Sequence, residues 1–351
     1  MVAKARGDGR PLRRRVRSDS VRILVVGAAG MIGRKLAERL ARDGSLGGPI
    51  SHATLADLVE PLPPPQAELD VRATVSDLGD PSAARELVAD RPDVVFHLAA
   101  VVSGEAEADL DKGYRVNVDG TRHLLEAVRS VGSGYRPRLV FSSSIAVFGP
   151  PFPQVIGDDH LAAPLTSYGT QKAIAELLVS DYTRRGFLDG ISIRLPTICV
   201  RPGEPNKAAS GFFSSIIREP LSGREAVLPV PEEVRHWFAS PRAAVGFLVQ
   251  AATLEQDALG GRRALTMPGV SATVGEMIES LRHIAGPEAV ELIRRVPDEA
   301  TMRMVASWPG RFDTRRAREL GFEAETDFDE IIRAHVEDEL NGVAGAVENA
   351  I

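Results

Sequence analysis

The chain has 351 residues, of which 44% are hydrophobic and 26% charged, so it has the composition of a globular protein and the length for one large α/β domain with a substrate-binding lobe. No apolar stretch reaches the ~20 residues needed to span a bilayer, and no signal-peptide pattern opens the chain, so we expect a cytoplasmic protein with no membrane partner. Cys199 is the only cysteine and no His/Cys cluster has zinc-ligand spacing, which excludes an intrachain disulfide and argues against a catalytic metal.

The net charge of −6 hides a basic segment at the start of the chain. Residues 1–17 contain seven lysines and arginines against Asp8 alone. Such a segment can bind nucleic acid or a membrane surface, and the alternative is a solvated tail. Because a regular strand pattern begins at Val21, we expect residues 1–20 to be a disordered tail without a nucleic-acid partner.

A nucleotide-binding pattern follows this tail. Arg22–Val26 is a short apolar run typical of a buried parallel strand, and Lys35–Ala41 has the pattern of an amphipathic helix. Between them, Gly27, Gly30 and Gly33 have the spacing Gly-x-x-Gly-x-x-Gly. Strand, glycine-rich turn and helix in this order are the context of a dinucleotide fingerprint, because the backbone can approach a pyrophosphate at the positive end of the helix.

A second predicted strand, Ala53–Ala56, ends at Asp57. A carboxylate at this position can accept hydrogen bonds from both hydroxyls of the adenosine ribose and would repel a 2′-phosphate, which favours NAD over NADP. Arg34, directly after the glycine loop, is the one feature that favours the opposite choice. The sequence therefore predicts NAD as the cofactor.

The following residues alternate between strand and helix patterns. The predicted strands are Asp93–Ala100, Arg138–Ser142 and Gly190–Leu195, and the predicted helices are Tyr114–Val131 and Tyr168–Thr183. This rhythm is typical of a Rossmann-like, doubly wound parallel sheet, whose ligands bind at the carboxyl ends of the strands. We expect residues 21–195 to form the NAD-binding domain and residues 196–351 to form mainly a smaller substrate-binding lobe, with segments that return to the first domain.

Three polar side chains in this region form a candidate catalytic set. Tyr168 and Lys172 are four residues apart, so they lie on one face of their helix with the ammonium beside the phenol. A nearby cation lowers the pKa of a phenol from its usual value of about 10, which makes Tyr168 a candidate general base for an alcohol. Ser144 stands 24 residues upstream of Tyr168 and would orient the substrate oxygen by a hydrogen bond. A surface pair without function is the alternative for Tyr168 and Lys172 alone.

Taken together, the motifs resemble those of the extended short-chain dehydrogenases/reductases, in the NAD-dependent epimerase/dehydratase family. The resemblance extends from Val21 to the C-terminal region. The motifs that carry it are Gly27–Gly33, Asp57, Asp77-Leu78, His97–Ala100, Asn117–Thr121, Ser142–Gly149 and the Tyr168/Lys172 pair. The residues that it implies for cofactor binding are Gly27, Gly30, Met31, Ile32, Gly33, Asp57, Asp77, Leu78, Ala99, Ala100, Asn117, Tyr168, Lys172, Pro196 and Thr197.

The resemblance also implies roles for several of these residues. Asp77 and Leu78 would flank the adenine, and Lys172 would hold the nicotinamide ribose. Asn117 would fix the strand ends, and Thr197, with its neighbour Pro196, would pack by the nicotinamide. Asp77 has an alternative role as the N-cap of a helix that begins at Pro81.

The substrate class is indicated by two segments in the second half of the chain. Arg235–Ala244 keeps the arginine that holds the diphosphate in nucleotide-sugar epimerases but replaces the His-Val-x-Asp portion of the family pattern with Ala239–Arg242, and Phe148 stands where the family usually has tyrosine. These differences argue against a nucleotide-sugar substrate. Arg194–Leu221 is instead similar to the D-erythronate dehydrogenases of this family, a resemblance that implies oxidation of a four-carbon sugar acid at C2 with NAD.

The same segment offers polar groups that suit a small sugar acid. Asn206 and neighbouring serines can bind hydroxyls, and an arginine can bind a carboxylate bidentately. Arg201 and Lys207 are possible partners of the carboxylate, and we select Arg218 and Arg235, with a structural salt bridge as the alternative for each. The substrate-binding set is then Ser144, Tyr168, Asn206, Arg218 and Arg235.

We therefore expect a dehydrogenase in which Tyr168 takes the hydroxyl proton and hydride leaves C2 of D-erythronate for NAD. A nucleotide-sugar epimerase or dehydratase with tightly bound NAD is one alternative, and a non-catalytic NAD-binding regulator is a more distant one. We also expect a homodimer, since dimers are the commonest assemblies of soluble proteins.

Overall fold

The computed structural model describes residues 20–65, 69–132, 134–203 and 210–342. The strands within these residues are β1 (Val21–Val26), β2 (Ile50–Asp57), β3 (Asp70–Val75), β4 (Val94–His97), β5 (Arg138–Ser144), β6 (Asp189–Leu195), β7 (Thr197–Ile198), β8 (Ala226–Leu228), β9 (Arg235–Ala239), β10 (Ala264–Thr266), β11 (Val270–Thr273) and β12 (Ile293–Arg295).

The helices lie between and after these strands. The α-helices are α1 (Met31–Asp43), α2 (Pro81–Val88), α3 (Ser103–Ala108), α4 (Leu110–Gly113), α5 (Gly120–Ser130), α6 (Ser167–Arg184), α7 (Gly211–Leu221), α8 (Pro241–Thr253), α9 (Val274–Ala285), α10 (Pro287–Glu291), α11 (Glu299–Val305), α12 (Arg315–Glu319) and α13 (Phe328–Glu339). A π-helical turn covers Tyr114–Asp119, and 3₁₀ turns cover Ile145–Val147 and Gln256–Leu259. In the part of the chain that the structure describes, no helix is both long and apolar enough to cross a membrane.

The largest sheet is parallel throughout and confirms the predicted fold class. Its strand order is β3-β2-β1-β4-β5-β6-β10. The order reverses between β1 and β4, and ligands of such sheets bind outside the carboxyl ends of the strands at this switch point. The glycine loop after β1, the segment after β4 and Ser144 at the end of β5 all lie at that edge.

Apolar side chains cover both faces of this sheet. On one face, Leu36 and Leu40 of α1 pack with Phe247 of α8 in a buried cluster. On the other face, Leu124 of α5 and Val179 of α6 belong to a second buried cluster. Burying a Leu or Phe side chain contributes about 1.5–3 kcal/mol, so these clusters hold the helices against the sheet and fix the loops at its edge.

The remaining elements form a second core. The short sheet β11-β9-β7 packs with α7, α9 and α13. Phe213, Ile216 and Ile217 of α7 are fully buried there. Because β10 joins the large sheet and α8 covers it, the second half of the chain also contributes to the first core.

The predicted helix over Tyr114–Val131 begins with the π-helical turn and continues as α5. The wider turn contains Asn117, whose buried side chain donates to the Gln171 carbonyl Oε1 at 2.7 Å and also bonds to Val101. Single π turns are frequently found at functional sites, and the sequence pattern gave no sign of this one.

Candidate active site

The glycine loop between β1 and α1 forms a cradle that a side chain would fill. Gly27 has φ +92°, and a Cβ on it would overlap the backbone of Ala99 after β4. A Cβ on Gly33 would overlap the carbonyl oxygen of Gly27 and lie 2.7 Å from Ala28 Cα. Glycine is therefore required at both positions, because backbone atoms of neighbouring segments occupy the space that a side chain on Gly27 or Gly33 would need.

The start of α1 is suited to an anion. Its N-cap is Gly30, and within the described residues no side chain caps the N–H groups of the first turn, which begins with Met31, Ile32 and Gly33. The unpaired N–H groups and the helix dipole favour a negative group at this position. The cradle and the helix start together fit the pyrophosphate of a dinucleotide.

Replacing Gly33 by alanine is expected to weaken NAD binding at least ~10-fold, because the new methyl group would displace the loop that receives the pyrophosphate. Isothermal titration calorimetry with NAD measures this affinity. Gly246→Ala in α8 is the matched control, since a Cβ there meets nothing within 4 Å. Equal NAD affinity in the Gly33 variant and the control would show that the loop does not receive the cofactor.

The predicted ribose carboxylate lies against the same loop. Asp57, at the end of β2, accepts hydrogen bonds from the N–H of Ala29 at 2.9 Å and from the N–H of Leu58 at 2.7 Å. The side chain of Arg34 is exposed. The carboxylate is thus held beside the glycine loop, where it could accept hydrogen bonds from the adenosine ribose of a dinucleotide bound at the loop.

Asp77 does not cap a helix, so the alternative role for it is wrong. Helix α2 begins at Pro81, and its N-cap is Asp80, which accepts from the N–H of Ser82 at 2.8 Å. Asp77 instead pairs with Arg115 at 2.8 Å, and this hydrogen bond holds the pKa of Asp77 below its usual value. Its neighbour Leu78 is buried, and its predicted packing against the adenine stays a prediction.

Asn117 joins the segment after β4 to α6. Its Oδ1 accepts from the N–H of Val101 at 2.8 Å and its Nδ2 donates to the Val101 carbonyl at 3.1 Å. Its bond to Gln171 reaches the residue next to Lys172. The amide therefore fixes the half-buried Ala99 and Ala100 relative to the candidate catalytic helix.

Pro196 and Thr197 lie between β6 and the second core. Pro196 is buried, and Thr197 Oγ1 lies 2.7 Å from Nε2 of His236. Burial lowers the pKa of His236 to about 4, so its ring is neutral at physiological pH. The sequence analysis did not single out His236, because its contact with Thr197 joins residues that are far apart in the chain.

The structure brings Ser144, Tyr168 and Lys172 together. Ser144 ends β5, Tyr168 is in the first turn of α6, and the Ser144 hydroxyl is near enough to lower the pKa of the Tyr168 phenol. Lys172 is buried, its Nζ lies 5.7 Å from the centroid of the Tyr168 ring, and it donates to the Ser142 carbonyl at 2.7 Å. Gly169 lets the start of α6 lie close to the residues after β5, since a Cβ on Gly169 would overlap the carbonyl oxygen of Ala146.

The charges around Tyr168 differ from the sequence prediction. Burial raises the pKa of Tyr168 above its usual value, while the charge of Arg201 and the nearby hydroxyl of Ser144 lower it. Arg201, which the sequence analysis did not connect with Tyr168, is thus a cation that acts on the phenol, and the predicted effect of Lys172 on it stays a prediction. Burial also lowers the pKa of Lys172 to about 7, against an opposite effect of Glu176. The reason is that the lysine ammonium is largely withdrawn from water.

A buried ion pair that the sequence analysis missed supports this set. Glu176 accepts from Arg194 Nε at 2.9 Å and from Arg194 Nη2 at 2.8 Å, and it also accepts from Ser143 Oγ at 2.5 Å. The network joins α6, β5 and β6 directly behind Ser144 and Lys172. Glu176 stands one helical turn after Lys172, and this spacing was the sequence signal from which its place beside the catalytic set could have been predicted.

The two arginines selected for the substrate hold ion pairs. Arg218 is buried and pairs with Glu219 at 2.5 Å, and its Nη1 donates to the Arg201 carbonyl at 2.8 Å. Arg235 pairs with Glu276 at 3.1 Å and borders a cavity of about 300 Å³. The third selected side chain, Asn206, lies outside the described residues. Neither arginine acts on the pKa of Tyr168 as Arg201 does.

Known proteins are similar to this chain over nearly its whole length. The family model described as "NAD dependent epimerase/dehydratase family" matches residues 23–246. A D-erythronate dehydrogenase of Cupriavidus necator is 47% identical, covering 90% of this chain and 98% of that protein, and one of Haemophilus influenzae is 41% identical, covering 90% and 99%. A crystal structure titled as a nucleoside-diphosphate-sugar epimerase from Agrobacterium tumefaciens is 58% identical with a TM-score of 0.91, covering 97% of this chain and 99% of that chain.

Proposed function

Because the chain belongs to the NAD-dependent epimerase/dehydratase family, we propose that it oxidises D-erythronate at C2 to the 2-oxo acid, with NAD as the hydride acceptor. The observation that carries the proposal is the meeting of Ser144, Tyr168 and Lys172 beside the glycine cradle. The substrate is supported by the identity of 41% and 47% to two D-erythronate dehydrogenases over nine tenths of the chain. The family and the dehydrogenase class agree with the sequence prediction.

Tyr168 is the proposed general base. The C2 hydroxyl of the substrate would hydrogen-bond to the phenol, and Ser144 would donate to the same substrate oxygen. In its phenolate form, which the charge of Arg201 favours and burial opposes, Tyr168 would accept the hydroxyl proton as the C2–O bond becomes a carbonyl, and it would later return the proton to water. When bound, NAD supplies nicotinamide C4 as the site that accepts the hydride from C2.

Lys172 and the cradle residues are the proposed cofactor contacts. An ammonium has three N–H donors, and Lys172 uses one of them for the Ser142 carbonyl. It would bind the nicotinamide ribose with the others. Gly27, Gly30 and the start of α1 would receive the pyrophosphate. Asp57 would bind the adenosine ribose, which supports NAD rather than NADP as the cofactor.

A nucleotide-sugar epimerase is the second candidate, and two observations favour it. The 58% identical Agrobacterium tumefaciens structure is titled as such an enzyme, and Arg235 borders a cavity of about 300 Å³. In that case, the cofactor would be reoxidised in every turnover and would copurify with the protein. The dehydrogenase predicts net formation of NADH, so the two candidates give opposite results with a sugar acid.

The test is the absorbance of NADH when purified protein meets NAD and D-erythronate, L-threonate or D-glucuronate. We expect NADH with D-erythronate and much less with the other acids. If no acid yields NADH and NAD copurifies with the protein, the epimerase is the better assignment.

A further inference from the structure

We propose that Ser143 is a positioning residue for the proton transfer, and that it fixes the register of α6 on β5 through its hydrogen bond to Glu176. The inference rests on the function proposed above, because the group that it positions is the general base Tyr168. Tyr168, Lys172 and Glu176 are spaced four residues apart, so they lie along one face of α6. This face meets the last three residues of β5, Ser142–Ser144.

Two hydrogen bonds join this face of α6 to the end of β5. Lys172 Nζ donates to the Ser142 carbonyl at 2.7 Å, and Ser143 Oγ donates to Glu176 Oε1 at 2.5 Å. The second bond is made to a carboxylate, and hydrogen bonds to ionised groups are shorter and stronger than neutral ones. Ser143 is buried, so water does not compete for its hydroxyl.

The rest of the contact between α6 and β5 is apolar. Side chains alternate between the two faces of a strand, so Ser143 shares its face with Phe141, which packs with Ala175 and Val179 of α6 in one buried cluster. Such packing holds the helix against the sheet, but hydrophobic attraction is non-directional. A slip of one residue would move α6 about 1.5 Å along its axis, and the two hydrogen bonds oppose that slip.

Glu176 is a rigid anchor for this bond. Its carboxylate accepts from Arg194 Nε at 2.9 Å and from Arg194 Nη2 at 2.8 Å, and both side chains are buried. Arg194 of β6 pairs in register with Ser143 of β5, and its guanidinium lies 4.8 Å from the centroid of the Phe148 ring. Two neighbouring strands thus hold the carboxylate, and the Ser143 hydroxyl joins it to the strand that carries Ser144.

The register matters because proton transfer depends on short distances. A general base must come within about 2.6–3.2 Å of the proton-bearing atom, and a displacement of about 1 Å can cost up to ~10²-fold in rate. Ser144 directly follows Ser143, and Tyr168 lies two helical turns before Glu176. The bond between Ser143 and Glu176 therefore sets how Tyr168 is placed relative to Ser144.

The test uses Ser143→Ala, which removes the hydroxyl and leaves the pair of Glu176 and Arg194 intact. Ser192→Ala is the matched control, because Ser192 is a fully buried serine of the adjacent strand β6 whose Oγ has no hydrogen-bond partner among the described residues. The readout is the rate constant for NADH formation in a single turnover, with protein in excess over D-erythronate and NAD saturating. This rate constant reports the chemical step in folded molecules, and urea unfolding measures stability separately.

We expect Ser143→Ala to lower the rate constant about 10-fold and Ser192→Ala to change it less than about 2-fold. Equal rate constants in the two variants would overturn the inference while leaving the proposed function in place. A loss of stability in Ser143→Ala with an unchanged rate constant would do the same, because it would show a purely structural role. If the unmodified protein oxidises no sugar acid, the proposed function fails and the inference fails with it.

Discussion

Replacing Tyr168 by phenylalanine is expected to lower the turnover of D-erythronate by a factor of ~10² or more and to leave NAD binding nearly unchanged. The variant loses the hydroxyl that takes the substrate proton, while the glycine cradle and Asp57 are untouched. Steady-state formation of NADH measures the first effect, and titration with NAD measures the second.

Tyr182→Phe is the matched control for this variant. Tyr182 lies on the same helix, α6, and its hydroxyl donates to Glu126, away from Ser144. Removing this hydroxyl should leave turnover close to that of the unmodified protein. Near-normal turnover of Tyr168→Phe, or loss of NAD binding in it, would contradict the assignment of Tyr168 as the general base.

Replacing Lys172 by methionine is expected to lower turnover by about 10²-fold as well, and to change the pH dependence of stability. Burial lowers the pKa of Lys172 from 10.5 to about 7 in the folded state. Between these values the unfolded chain binds more protons than the folded chain, so stability rises with pH. The destabilising effect of the buried ammonium is therefore complete below about pH 7 and fades as the pH approaches 10.5.

Urea unfolding of the Lys172→Met variant and the unmodified protein at about pH 6 and about pH 9 tests this sign. The free energy of unfolding of the variant, relative to the unmodified protein, should be higher at the lower pH. An equal difference at both pH values would contradict a lowered pKa for Lys172.

The fold and the common face of Tyr168 and Lys172 could be predicted because their signals are local. The glycine loop lies between a strand and a helix that are adjacent in sequence, and the alternation of strands and helices indicates a doubly wound parallel sheet. Tyr168 and Lys172 are one helical turn apart, so their common face follows from helix geometry alone. Each of these patterns can be read without knowing which distant segments pack together.

The substrate arginines could not be predicted in the same way. Arg218 is adjacent to Glu219 in sequence, yet its burial beneath Arg201 depends on how α7 packs in the second core. Arg235 meets Glu276 of α9, 41 residues later. A sequence shows that arginines are present, but the packing of the lobe decides which groups each of them contacts.

The buried hydrogen-bond networks could not be predicted either, because their members lie on different elements of the chain. Glu176 and Arg194 belong to α6 and β6, and Thr197 meets His236 across β7 and β9. The π-helical turn at Asn117 has a helical sequence pattern and differs from an α-helix only in its hydrogen bonds. The homodimer, the choice of NAD over NADP and the role of the basic segment before residue 20 stay predictions.

The most direct test of the account uses D-erythronate that carries deuterium at C2. If Tyr168 takes the C2 hydroxyl proton and the C2 hydrogen leaves as hydride, mass spectrometry will find the deuterium in the NADH formed and a 2-oxo acid as the product. Unlabelled NADH would place the oxidation at another carbon. No NADH, together with NAD that stays on the protein, would contradict a dehydrogenase.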